Sequence, residues 1–274
     1  MENPSFVEAS LTYLAEMDEK PVNYVYQPPE GTPIRNSVTI RQRRLIYNAR
    51  ALAEQPSLDA QGFALLEQPS AVSNFYDATE VRKIYFPEVE QLVKEAIGAS
   101  RVVAFDYNVR CAPMAQRREN GAQTPVKFAH NDYTRRSGPQ RVRDLMGAEA
   151  ESLLKNRFAV VNVWRPIRGP VEESPLAVCD ARSMVQQDFV ETELRYRDRT
   201  GEVYSVAFNP SHRWFYYPQM RREEALLLKC YDSAEDGRAR FTAHTAFADP
   251  TSPANPGPRE SIEVRTLVFF APEN

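Results

Sequence analysis

Glycine is scarce in this chain and proline is abundant, with 10 glycines against 21 prolines in 274 residues. Folds that cradle phosphate in a glycine-rich turn need several glycines at fixed spacing where a strand enters a helix. The chain has no Gly-x-Gly-x-x-Gly run and no Gly-Lys-Ser/Thr run. Dinucleotide, nucleoside-triphosphate and methyl-donor Rossmann folds are therefore not expected. The prolines point to stiffened connections between short elements.

The order of the elements narrows the class. Residues 1–35 mix polar and aromatic residues with Pro21, Pro28, Pro29 and Pro33, and Tyr13, Tyr24 and Tyr26 offer a means of docking this arm on the body. Residues 40–54 (IRQRRLIYNARALAE) read as helix, and 61–66 (QGFALL) as a short buried strand. Pro87 opens an amphipathic helix with Val89, Leu92, Val93, Ala96 and Ile97 at helical spacing, and Gly98 ends it. Strand patterns follow at 101–110, 126–133, 157–164, 175–180, 190–197, 202–208, 238–247 and 259–270, with helices expected near 144–156 and 220–230. Helices first and short strands afterwards suit an α+β protein with an all-β core, not an alternating parallel sheet.

Composition removes several partners. With 42% hydrophobic and 26% charged residues the chain is ordinary globular material. A net charge of −3 gives no basic bias, so nucleic acid is not expected as a partner. No apolar run approaches the length of a membrane span, so no membrane partner is expected either. Met1–Leu14 holds Glu2 and Glu8 but no basic residue, unlike a signal or transit peptide. Cys111, Cys179 and Cys230 lie far apart in no metal-binding spacing, which fits free thiols in a reducing, cytoplasmic setting. A small molecule is the expected partner, and oligomeric state is not legible.

The chemistry is concentrated in a few residues. In His130-Asn131-Asp132, positions i and i+2 of a strand share a face, so an imidazole and a carboxylate project together. That is two thirds of the facial His/His/carboxylate set that leaves metal positions open. His244 lies in a later strand-like run. Fifteen residues on, Arg259 and Ser261 share a face at the start of the last strand, where a guanidinium fork and a hydroxyl suit a carboxylate. Taken singly, each pair also reads as ordinary surface polarity.

The order His-x-Asp, distant His, Arg-x-Ser entering a final apolar strand resembles the iron(II)/2-oxoglutarate-dependent oxygenases. A closer resemblance, to the CmcJ/NvfI-type (gibberellin desaturase-like) oxidoreductases, runs through 62–76 (GFALLEQPSAVSNFY), 105–110 (FDYNVR), 130–132 (HND), 161–183 (VNVWRPIRGPVEESPLAVCDARS), 212–233 (HRWFYYPQMRREEALLLKCYDS) and 241–268 (FTAHTAFADPTSPANPGPRESIEVRTLV). The resemblance implies a double-stranded β-helix, the cupin-like jelly roll, with flanking helices. It implies one oxygenase domain over 1–274, with an arm and helix in 1–60 and the core with helical insertions in 61–274.

By the same resemblance, His130, Asp132 and His244 hold Fe(II), and Arg259 and Ser261 hold 2-oxoglutarate. Arg265, on the same strand face as Ser261, competes for that carboxylate. His212 competes for the third ligand position, but its setting reads as an aromatic loop before a helix. Trp164, Arg165, His212 and Tyr216 are candidate substrate-cavity residues, whose alternative is core packing or a salt bridge. Lys229, Tyr231 and Asp232 read as structural polar groups, with pocket residues as the alternative, and the arginines at 135–143 as a solvated face or lid, with an acidic substrate as the alternative partner. The implied reaction consumes 2-oxoglutarate and O2 to oxidise an unactivated C–H bond of a natural-product precursor by hydroxylation, desaturation or cyclisation. A carboxylate at Asp132 fills the position a halogenase leaves free for chloride. Two other readings of the same residues are a cupin-like zinc hydrolase or isomerase and a non-catalytic β-barrel binding protein.

Overall fold

The structure, a computed structural model, describes residues 4–272. Fourteen strands follow one another along the chain: β1 (Phe6–Leu14), β2 (Val22–Tyr24), β3 (Thr39–Asn48), β4 (Phe63–Glu67), β5 (Arg101–Arg110), β6 (His130–Asn131), β7 (Phe158–Pro166), β8 (Leu176–Cys179), β9 (Phe189–Arg195), β10 (Thr200–Val206), β11 (Trp214–Tyr216), β12 (Glu224–Asp232), β13 (His244–Ala246) and β14 (Ser261–Phe269). They form a nine-stranded sheet in the order β1-β3-β11-β8-β13-β6-β10-β9-β2 and a five-stranded sheet in the order β4-β12-β7-β14-β5. The larger sheet curls back on itself: the Ala129 amide donates to the Thr12 carbonyl (2.8 Å), and Leu14 bridges Ala207. The protein is thus an α+β fold dominated by curled sheets, with few helices.

The five-stranded sheet is buried on both faces, and strand alternation sorts its residues between two cores. On β7, Phe158, Val160 and Trp164 pack in the core shared with Val178 and Phe215 of the larger sheet. Ala159, Val161 and Val163 point the other way, against the helix Phe86–Ile97 through Val89, Leu92 and Val93. Leu267 and Phe269 of β14 take the first side, and Ile262, Val264 and Val268 the second. The helix is built as its sequence predicts, with Pro87 in its first turn and Gly98 ending it at φ 66°, a left-handed cap that glycine adopts without strain.

Two expected helices are strands. Residues 40–54 supply β3 and a 3-10 turn, Ala49–Ala51, so the N-terminal region is sheet, and no α-helix precedes Ala78 among the described residues. The helix-favouring Arg and Gln residues yield to pairing along all of β1, and Arg41, Arg43, Leu45 and Tyr47 alternate outward. Residues 220–230 contribute β12, whose nine residues are all buried between β4 and β7. A strand covered on both faces carries no alternation, so Leu226-Leu227-Leu228 looks the same in a buried helix. The expected aromatic loop before it is the strand β11. The helical stretch expected at 144–156 starts earlier, at Ser137. The strands expected at 126–133 and 238–247 shrink to β6 and β13.

These short strands are held by side chains. The Asn131 amide group donates to the carbonyls of Tyr133 (2.7 Å) and Cys230 (2.8 Å), and its oxygen accepts from the Thr242 amide (3.2 Å). The Thr242 hydroxyl lies within hydrogen-bond reach of the carbonyls of Gly62 (2.7 Å) and Lys229 (2.9 Å). Gly62 sits at φ +89°, and any Cβ there would collide with that hydroxyl. One fully buried asparagine therefore ties β6, β12 and the approach to β13 together. Replacing Asn131 by Ala strands two carbonyls and one amide in the core. It should cost about 2–4 kcal/mol, checked by urea unfolding.

Candidate metal centre

His130 and His244 are direct register partners in the pairing of β6 with β13, so their imidazoles share one face, with ring centroids 4.4 Å apart. That face is the inner one, because His244 also pairs with Val178 of the inter-sheet core. Asp132 comes from the chain just past β6, its Oδ1 3.5 Å from His130 Nε2. Donor atoms of His130, Asp132 and His244 all lie within 4.8 Å of one another.

Each imidazole is oriented by backbone. His130 Nδ1 meets the Phe128 carbonyl at 2.8 Å, and His244 Nδ1 meets the Thr242 carbonyl at 3.0 Å. A carbonyl only accepts, so both Nδ1 atoms carry the proton and both Nε2 lone pairs face the centre. Asp132 Oδ2 accepts from Asn162 Nδ2 (2.8 Å) and Arg265 Nε (3.0 Å), leaving Oδ1 available. Burial pushes the Asp132 carboxyl up, but the Arg265 guanidinium beside it outweighs burial and holds it well below the usual range. Burial, with His130 beside it, pushes His244 below an ordinary histidine. Two imidazoles presenting Nε2 and an ionised carboxylate are the donor set of an open, non-haem divalent centre.

Arg265 is committed elsewhere than the competing role expected of it. Besides Asp132 it meets Glu263 (3.1 Å) and Asp106 (3.3 Å), so it orients a metal-facing carboxylate. Arg259 and Ser261 are different. Both are nearly inaccessible, at 3% and 1% exposure. Arg259 Nη1 donates to the Ser174 carbonyl (2.7 Å), and its Cζ stands 5.5 Å from the Trp164 ring. Arg259 Nε and Ser261 Oγ find no partner among the described residues. Each such buried atom costs about 1–3 kcal/mol, so the pair marks a place built for an acceptor. A carboxylate fits it. Ser261, Glu263 and Arg265 follow at alternate positions of β14, so this place continues the same sheet face as the Asp132 contact.

Of the substrate-cavity candidates, Trp164 alone lies on this face, directly opposite Glu263. Arg165 points the other way: strand alternation puts it with the second core, its Cζ 5.1 Å from the Tyr85 ring. Tyr216 is on the far side of the larger sheet, 5.4 Å from Phe247. His212 is on that far side too, stacked on Tyr13 at 5.8 Å with Nε2 3.0 Å from Asp188 Oδ2, so it is no metal ligand. Lys229 is a buried structural cation, held by Asp59 and Asp232. Arg135, Arg136 and Arg143 are largely exposed on their helix and its approach, with Glu235, Glu202 and Glu151 as ion-pair partners. Asn162, which shares Asp132 with Arg265, was not anticipated. Its signal was a lone polar residue inside the apolar run 158–164.

A facial His/Asp/His set between curled sheets defines a protein with an open non-haem metal site, and comparison with known proteins gives its class. A protein-family model described as "Oxidoreductase/YMDC permease-like domain" matches residues 11–269. The hydroxylase/desaturase efuI of Hormonema carpetanum is 34% identical, over 91% of this chain and 94% of its own length. The Fe(II)/2-oxoglutarate-dependent dioxygenase nvfI of Aspergillus novofumigatus is 33% identical, over 90% of each. A solved structure of the iron and alpha-ketoglutarate-dependent endoperoxidase NvfI covers 98% of this chain and 100% of its own, at a TM-score of 0.86 and 29% identity. This chain belongs to that family, the CmcJ/NvfI-type oxidoreductases of the iron(II)/2-oxoglutarate-dependent oxygenase superfamily.

The placement of His212 has a pH consequence. Burial lowers its pKa, and its Nδ1 has no partner among the described residues. The unfolded chain therefore holds the proton more tightly, and stability present above about pH 6.5 is lost as pH falls below it. In thermal melts between pH 7.5 and 5, His212→Gln should flatten this decline relative to the parent protein.

Proposed function

We propose that this chain is a single-domain, cytoplasmic iron(II)/2-oxoglutarate-dependent oxygenase. Its sheets form a double-stranded β-helix, or jelly roll, and it oxidises an unactivated C–H bond of a small-molecule natural-product precursor by hydroxylation, desaturation or cyclisation. The observation that carries the reading is the pairing of two features, one on each sheet, joined by the contact of Arg265 with Asp132. One is a facial donor set with both Nε2 lone pairs presented. The other is a buried guanidinium and hydroxyl lacking an acceptor. The family's dioxygenase and hydroxylase/desaturase members support the oxidative reading over a zinc hydrolase or a binding barrel. No described helix is long and apolar enough to cross a membrane.

His130 and His244 through Nε2, with Asp132 through Oδ1, would hold the iron. Arg259 and Ser261 would take the far carboxylate of 2-oxoglutarate. When bound, iron(II) with 2-oxoglutarate and O2 would supply an oxidant strong enough to remove hydrogen from an unactivated carbon, with 2-oxoglutarate converted to succinate and carbon dioxide. The chain's own residues set the geometry. The Phe128 and Thr242 carbonyls orient the imidazoles so that Nε2 would face the metal, and Asn162 and Arg265 keep Oδ2 of Asp132 occupied, so that Oδ1 would be the ligand. A carboxylate ligand at Asp132 leaves no position for chloride, so halogenation is not part of the repertoire. Trp164 roofs Arg259 and excludes water from the guanidinium.

Anaerobic addition of Fe(II) and then 2-oxoglutarate to metal-free protein should produce a visible charge-transfer band only when both are present. Stoichiometric zinc and no band would defeat the reading. Asp132→Ala should abolish iron binding. Arg259→Ala should weaken 2-oxoglutarate by about 2–5 kcal/mol with iron affinity intact. Arg265→Ala should do the reverse, lowering metal affinity roughly 10–100-fold through Asp132. A variant pair with these effects exchanged would transfer the cosubstrate to Arg265.

A further inference from the structure

Arg110 ends β5 directly opposite Ser261 of β14, so its side chain shares the face that carries Ser261, Glu263 and Arg265. Apart from Arg259, assigned above to the cosubstrate, the other arginines around this face have acidic partners. Arg265 holds Asp132 and Glu263, with Asp106 on its solvent side, and Arg141 lies over the Phe105 ring within reach of Asp144. Arg110 forms no ion pair among the described residues, and its one hydrogen bond is from Nη1 to the Thr124 carbonyl (2.8 Å). That carbonyl is fixed. Gln123 is laced to β5 by its amide to the Val109 carbonyl and its carbonyl to the Cys111 amide, each at 2.9 Å. Arg110 is only half-buried, so a ligand in the site can reach it.

Charge arithmetic says what such a ligand carries. Iron(II) is balanced by Asp132 and the metal-binding carboxylate of 2-oxoglutarate. The far carboxylate meets Arg259, on which Glu173 also acts from its backbone side, and Glu263 balances Arg265. Asp106 also meets Arg265, but it is more than half exposed and screened by water. Arg110 is left over as an uncompensated guanidinium held in a fixed direction. Burial holds it below an ordinary arginine, with Glu263 and Asp132 acting on it only from a distance.

We propose that Arg110 binds a carboxylate of the organic substrate, which makes the natural substrate of this site a carboxylic acid. The proposal rests on the oxygenase reading above, and it adds the substrate class. A guanidinium with a free edge takes a carboxylate through paired hydrogen bonds and discriminates against the neutral amide of the same shape.

The test uses the anaerobic protein loaded with Fe(II) and 2-oxoglutarate. The probes are cyclohexanecarboxylate and benzoate, each paired with its carboxamide, and the readout is the shift of the charge-transfer band on titration. The acids should bind at least ~10-fold more tightly than the amides. Arg110→Gln should reduce that preference to within about twofold and leave the 2-oxoglutarate affinity within about threefold. Arg110→Lys keeps the charge without the fork and should retain part of the preference, which covers a glutamine variant that fails to fold. Equal binding of acids and amides by the parent protein would overturn the proposal, as would an acid preference that survives Arg110→Gln. A 10-fold or greater loss of 2-oxoglutarate affinity in Arg110→Gln would overturn it in another way, by assigning Arg110 to the cosubstrate. A parent protein that gives no band with Fe(II) and 2-oxoglutarate would fail earlier, on the oxygenase reading itself.

Discussion

Strand β6 is two residues long, and it places most of the metal centre. It pairs with β13 through His130 and His244 and with β10 through Asn131 and His130. A ladder this short has few backbone bonds to hold its register, and a slip of one residue would turn both imidazoles out of the core. Register is secured by side chains: Asn131 bonds three other backbone groups, and Thr242 is wedged against a glycine that leaves no room for a Cβ. The precision of the centre therefore comes from buried polar clamps around a minimal sheet, and the long strands of the smaller sheet serve as the wall they are anchored to.

Electrostatics divides that wall by function. Along β14 the inward positions read Ser261, Glu263 and Arg265, and the outward positions Ile262, Val264 and Val268 are core. The cationic side chains near the inward face have different duties. Arg265 holds an acid in its ionised form, and Arg259 and Arg110 are left with unspent hydrogen-bonding capacity. A protein that maximised its own stability would pair those charges internally. Leaving them unpaired stores unfavourable energy that an incoming anion relieves, so ligand binding and stabilisation of the fold are linked at this point.

The legible part of the sequence was local chemistry. His130 and Asp132 stood out by two-residue periodicity, His244 was joined to them by the family resemblance, and the structure brings the three together; the helix Phe86–Ile97 was read from its proline, glycine and apolar spacing. What misled was a composition that hides the strand period, on a half-exposed strand in one case and a fully buried one in the other. Thr39–Asn48 and Glu224–Asp232 look helical because helix-favouring or uniformly apolar residues hide the alternation, and only the neighbouring strands decide the matter. Arg165 and Tyr216 failed for a related reason. Their residue types suit a cavity, but strand parity, fixed by the partners, sends them to the other face. The duties of Arg265 and Asn162 depend on the long-range contact between β14, β7 and Asp132, which no spacing along the chain encodes.

Both metal-facing imidazoles take their orientation from a main-chain carbonyl two positions upstream. Many such centres use a neighbouring acid for this task and must preserve that acid as the sequence drifts. Here the side chains at 128 and 242 contribute nothing to the tautomer, because every amino acid brings the same carbonyl. The ligand geometry is in this respect insulated from mutation. Residues around the cavity can be exchanged, and its clientele altered, without disturbing the orientation of the imidazoles.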